Sequence, residues 1–171
     1  MRYYFLTIIA VTLLLGCSSK DEKQFTDIYE KNKAYHMGLQ KTEKTQLYDG
    51  EVTKALLTAT YLFTETSDIN DTRDEKFIVG IYIEDEESSF SQGDYNLTLS
   101  GISPKHVEVL KSKDIRLKNI SFKSEWSQFY LFTFPHTKSK KFTLVFASDL
   151  YGKGELQFAK VAKFVLTQKA F

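Results

Sequence analysis

A single cysteine, Cys17, is all the chain of 171 residues contains, so no internal disulfide can form and no cystine framework supports the fold. Net charge is lacking too: 23 Lys and Arg stand against 22 Asp and Glu. A nucleic-acid partner calls for a strongly basic surface, so that class is disfavoured. The three histidines, His36, His106 and His136, show no ligand spacing, and without a second cysteine they outline no zinc site. No Gly-x-Ser-x-Gly turn marks a nucleophilic serine. No βαβ alternation supports a parallel nucleotide-binding sheet. Heptads, low-complexity tracts and repeats of fixed period are missing as well. The sequence therefore names no reaction and no cofactor, and the chain reads as non-enzymatic.

One long apolar run is present. It extends from Tyr3 to Leu15, follows the single basic residue Arg2, and ends in Gly16-Cys17. It is shorter than the ~20 residues a spanning helix needs, and its order of charge, apolar middle and small residue is that of a secretory signal. The alternative, a buried helix around a structural cysteine, would need an all-apolar helix from residue 3. The residues Leu14-Leu15-Gly16-Cys17 resemble the lipobox of bacterial lipoproteins. That resemblance implies removal of residues 1–16, acylation of Cys17 and attachment to a membrane. Two or three acyl chains hold firmly where one would not. Ser18 stands where lipoproteins retained in the inner membrane of some Gram-negative bacteria carry Asp, so the resemblance favours the outer membrane; the periplasmic face is expected over the cell surface. Residues 17–24 then form a polar tether.

Once residues 1–16 are removed, 155 residues remain, enough for one domain with a real core. Their charge is unevenly spread. Residues 18–100 carry 9 basic and 17 acidic side chains, and residues 101–171 carry 13 basic and 5 acidic. Pairing across strands would account for this. The sharper reading is a basic face that meets anionic lipid headgroups or lipopolysaccharide.

Between Ser19 and Gln40 the apolar spacing is helical, with Phe25, Ile28, Tyr29 and Leu39 on one stripe and Ser19–Glu22 as a capping box. Residues 25–49 thus read as an amphipathic helix and a connector, closed by the Asp49-Gly50 turn signal. After Gly50 the period becomes two. Strands are expected at 53–63, 75–85, 93–101, 105–111, 114–123, 126–134, 140–148 and 154–168, the last being ambiguous with a helix. Short connectors between so many strands predict a single antiparallel β-sandwich over 50–171, immunoglobulin-like in the loose architectural sense.

Several constellations invite a site. Asp68, Asp71 and Asp74 in the loop "SDINDTRDE", and the acids of "EDEESS" at 84–89, are calcium candidates, although solvated loop acids are the default. Trp126, the only tryptophan, lies near Phe129 and Tyr130. Such a cluster is more often core, so Trp126 is expected to be buried; exposed, it would form with Tyr130 a platform for sugar rings or a peptide strand. Asn70 and Asn96 each sit in an Asn-x-Thr sequon preceded by Asp, which resembles the acceptor of the bacterial periplasmic oligosaccharyltransferase. The expected function is a non-catalytic binding or structural module of the envelope, held to the membrane through Cys17 and meeting an envelope protein or glycan. The runner-up is a surface-exposed glycan- or host-binding lipoprotein; an envelope hydrolase would require a polar pocket around His106 or His136.

Overall fold

The computed structural model describes residues 33–64, 66, 68, 70–84, 90 and 95–160. The expectations for the signal segment, Cys17, the tether, the helix before residue 33, the acids at 85–89 and the segment after 160 lie outside the described residues.

Helix α1, Lys33–Gln40, ends in a turn that hands the chain to the first strand; the Lys41 amide donates to the Gly38 carbonyl. Eight strands follow: β1 Thr42–Asp49, β2 Val52–Tyr61, β3 Glu75–Ile83, β4 Tyr95–Leu99, β5 His106–Leu110, β6 Gln128–Phe134, β7 Lys141–Ser148 and β8 Gly152–Ala159. They build two antiparallel sheets, one in the order β1-β2-β3-β6-β5 and one in the order β4-β7-β8. The protein is mainly β, as the period-two pattern predicts.

The alternating side chains face each other across the sheets. Leu57, Tyr61, Phe77, Val79, Phe132 and Phe134 of the wide sheet share one core with Leu97, Leu99, Phe142, Leu144, Phe146 and Phe158 of the narrow one. Aromatic rings fill the centre, where Phe77 meets Phe158 edge-on at 5.1 Å between ring centroids and stacks on Tyr61 at 4.8 Å. The sandwich closes along β1 and β8. A Cβ on Gly154 of β8 would stand 2.0 Å from the Thr45 hydroxyl of β1, so only glycine lets these two strands approach.

Two expectations need correction. Residues 42–49 are a strand rather than a connector. Leu47 is their one fully buried side chain, and pairing with β2 across the Gly50–Glu51 hairpin outweighs their polar composition. Residues 114–123 are not a strand. The Asp114 carboxylate accepts the Arg116 amide at 2.9 Å, and the Leu117 and Lys118 amides reach back to Asp114 and Ile115. That local bonding captures the backbone in a 3-10 turn, Ile115–Leu117, before a ladder can form. Among the described residues the number of strands still matches, because one is gained and one lost.

The long β5–β6 connection, residues 111–127, serves instead as a cap over the outer face of the wide sheet. Leu117 beneath it forms a second apolar cluster with Ile78, Leu110 and Phe129, against which Ile120 and Leu131 pack. This explains why β3 and β6 are apolar on both faces: one face belongs to the sandwich core, the other to the cap. Unequal sheet widths leave β5 at an open edge. Its Val107 and Val109 stand in register with the buried Phe132 and Tyr130, yet both are exposed.

Candidate functional site

Glu75 opens β3 with its side chain on the inward face, two residues before Phe77, and it is 3% exposed. A buried carboxylate requires partners of opposite charge or hydrogen-bond donors. It has both. The Tyr61 hydroxyl, at the end of β2, donates to Oε2, and the Thr137 amide donates to Oε1 at 3.0 Å. Lys160 Nζ, just past β8, lies 2.6 Å from Oε1, and His136 Nδ1 stands 3.5 Å from the same oxygen. His136 Nδ1 also lies 3.0 Å from the Arg73 carbonyl. A carbonyl only accepts, so Nδ1 carries a proton whether or not the ring is charged. Burial, and then the bond to Glu75, raises the Tyr61 pKa far above the ordinary phenol value, so Tyr61 remains a proton donor in this bond.

Above this cluster opens a pocket of about 590 Å³. The β2–β3 loop contributes Phe63, Thr66, Asp68, Asn70, Asp71 and Thr72; the β6–β7 loop contributes His136, Thr137, Lys138 and Lys140; Lys160 completes the lining. Lys41 Nζ donates to the Phe63 carbonyl, and the Arg73 guanidinium lies 5.8 Å from the Phe63 ring centroid. The pocket joins fixed charges of both signs to one aromatic ring. It offers a ligand both charged groups and apolar surface.

The calcium candidates are already engaged. Arg73 grips Asp71 through Nε at 2.8 Å and a second nitrogen at 2.9 Å while holding the Thr64 carbonyl. This guanidinium holds the Asp71 carboxyl well below the usual carboxylate range. Asp74 pairs with Lys105 at 2.6 Å, and Asp68 accepts the Asn70 amide at 2.9 Å. Among the described residues no three metal-binding side chains converge.

The expected burial of Trp126 is overturned. It is 80% exposed in the cap, whereas Tyr130 is 3% exposed and packs with Phe90 and Phe132 in the core. The two cannot form one platform, because the register of β6 turns Tyr130 to the inner face and Phe129 to the cap. Asn70 is exposed beside the pocket, and Asn96 is exposed on β4 between buried Tyr95 and Leu97. His106 begins the edge strand β5 and lies away from the pocket lining. Of the pocket's chemistry, only Asp68, Asn70, Asp71 and His136 had been singled out from the sequence. Glu75 was missed, although an acid in phase with Phe77, Val79 and Ile81 is a signal that the alternation itself contains. Set against protein-family models, curated proteins and solved structures, the chain matches none of them.

Proposed function

We propose that the chain is a lipid-anchored module of the bacterial envelope that binds rather than reacts. The observation that carries this reading is Leu14-Leu15-Gly16-Cys17 behind the apolar run from Tyr3 to Leu15. Acylation of Cys17 holds the sandwich at a bilayer, and Ser18 after it favours the outer membrane. The geometry supports binding in preference to catalysis. His136 lines a pocket beside charged side chains, which is the feature a hydrolase would need. Yet Glu75, which could orient it, is taken up by Tyr61, Lys160 and the Thr137 amide. So bonded, Glu75 holds the floor of the pocket in place. Anchoring concentrates a protein at its surface, so modest contacts suffice for such a module.

The test is fractionation of cells that express the wild-type chain or Cys17→Ser, with the intact mass of the mature N-terminal peptide. Wild type should sediment with membranes and carry acyl chains on Cys17, whereas Cys17→Ser should be released. A Cys17→Ser chain that stays on the membrane, or an unmodified Cys17 in the mature protein, overturns the reading.

A further inference from the structure

The cap, residues 111–127, buries Leu117 and Ser121 and half-buries Ile120 towards the sheet, and leaves its other large apolar side chains in solvent. Ile115 is 78% exposed, Phe122 50% and Trp126 80%. Interleaved with them are Lys111, Lys113, Lys118 and Lys123, against only Asp114 and Glu125. Arg116 is committed to Asp114 and Glu108. Among the described residues none of the four lysines is in an ion pair. Among the described residues, the ion pairs that join the two halves run from Asp74 and Glu75 to Lys105, His136 and Lys160, and none of them reaches the cap.

Two further features converge on this surface. Phe122 is held at φ 59°, a left-handed conformation that costs a bulky residue energy, and Lys44 Nζ of β1 lies 3.3 Å from its ring centroid. An exposed aromatic is thus kept in a strained pose beside a fifth cation. The chain also enters the sandwich here. A Cβ on Gly38 would stand 3.2 Å from the Asn119 carbonyl, and the Thr42 hydroxyl donates to the Gly38 carbonyl at 2.7 Å. Residues 37–42 therefore meet the sandwich against the cap.

We infer that the cap is a membrane-docking face, on which Ile115, Phe122 and Trp126 enter the headgroup region of a bilayer while Lys111, Lys113, Lys118 and Lys123 bind its anionic lipids. The inference deepens the anchoring reading and rests on it for the bilayer's proximity. Tryptophan settles at the boundary between headgroups and acyl chains, and an exposed basic surface near such a boundary is attracted to negative lipid. A soluble protein partner would more often meet a patch depleted of lysine, so the charge favours lipid.

Trp126 is the only tryptophan, so its emission reports on this face alone. The whole chain, purified from membranes, is reconstituted into phosphatidylcholine vesicles with or without phosphatidylglycerol. In the anionic vesicles Trp126 should shift to the blue and be quenched by lipids brominated in the upper acyl chain. In phosphatidylcholine alone it should do neither. Each lysine changed to glutamine should lower the ratio of docked to undocked molecules about fivefold. Circular dichroism of the Lys111→Gln, Lys113→Gln, Lys118→Gln, Lys123→Gln variant should be unchanged, because these side chains are exposed. Emission that is identical in both vesicles, or quenching that persists in the four-lysine variant, overturns the inference. So does a Trp126 response that needs added oligosaccharide rather than anionic lipid. Because the readout is the depth of Trp126, an unmodified Cys17 would overturn the anchoring reading without mimicking any of these results.

Discussion

The ring of Phe129 lies over Gly80, its register partner on the neighbouring strand, so closely that a Cβ on residue 80 would stand 2.8 Å from Cε1 of the ring. Glycine in a central strand sacrifices stability unless something covers the gap, and here an aromatic from β6 does so. The pair joins the wide sheet to the cap, since Phe129 also packs with Leu110 and Leu117. Gly80→Ala should destabilise the protein by about 1–3 kcal/mol in denaturant unfolding through overpacking. Phe129→Leu in the Gly80→Ala background should cost less than the sum of the two changes, because the smaller side chain relieves the clash. Strict additivity would mean that the two residues do not share the strain.

The Glu75–Lys160 pair supplies a second prediction. Removing one partner of a buried ion pair leaves the other unpaired, at a cost of about 3–5 kcal/mol. Glu75→Gln should approach that loss in chemical denaturation, and adding Lys160→Met should restore part of it. Equal stability of the single and double variants would show that Lys160 is hydrated rather than paired.

Acid titration should reveal the cluster of Asp114, Arg116 and Glu108. The Arg116 guanidinium holds the Asp114 carboxyl down at about 2, from an ordinary 3.8, and lowers that of Glu108 as well. A carboxyl group lowered in the folded state stabilises the protein fully above its unfolded pKa and loses that contribution as the pH falls through the folded value. Stability of the wild type should therefore decline between about pH 4 and pH 2. Asp114→Asn should flatten part of that slope, as measured by urea unfolding at a series of pH values.

Phe122 allows backbone strain to be separated from side-chain contacts. Phe122→Gly and Phe122→Ala both remove the ring and its contact with Lys44, but only glycine adopts φ 59° without cost. Phe122→Gly should be the more stable of the two by about 1 kcal/mol in thermal unfolding. The opposite order would mean that the turn relaxes freely.

Calcium should leave the melting temperature unchanged, since Arg73 and Lys105 already occupy the carboxylates of Asp71 and Asp74. A rise on adding calcium would require both pairs to open.

The strands with clean alternation, such as Tyr95-Leu97-Leu99 and Phe142-Leu144-Phe146, were readable because period two shows plainly where one face is buried. Where composition and backbone bonding disagree, the reading failed. Residues 42–49 look polar because they form an edge whose order comes from β2. Residues 114–123 look alternating, yet one Asp114 side chain redirects the backbone. Trp126 was misplaced for the same reason: hydrophobicity says what prefers burial, not whether a cap has room for it. The pocket was half visible. Its loop acids stood out, whereas its buried floor joins residues 61, 75, 136, 137 and 160, which no local pattern connects.

That floor has a consequence for how the protein comes into being. A chain made from its N-terminus presents Tyr61 and Glu75 long before Lys160, the cation that balances the carboxylate. Until β8 has emerged and Lys160 follows it, Glu75 lacks that cation, and the end of the sandwich cannot seal around it without cost. The domain is thereby biased to remain open during synthesis and to close late, as a unit.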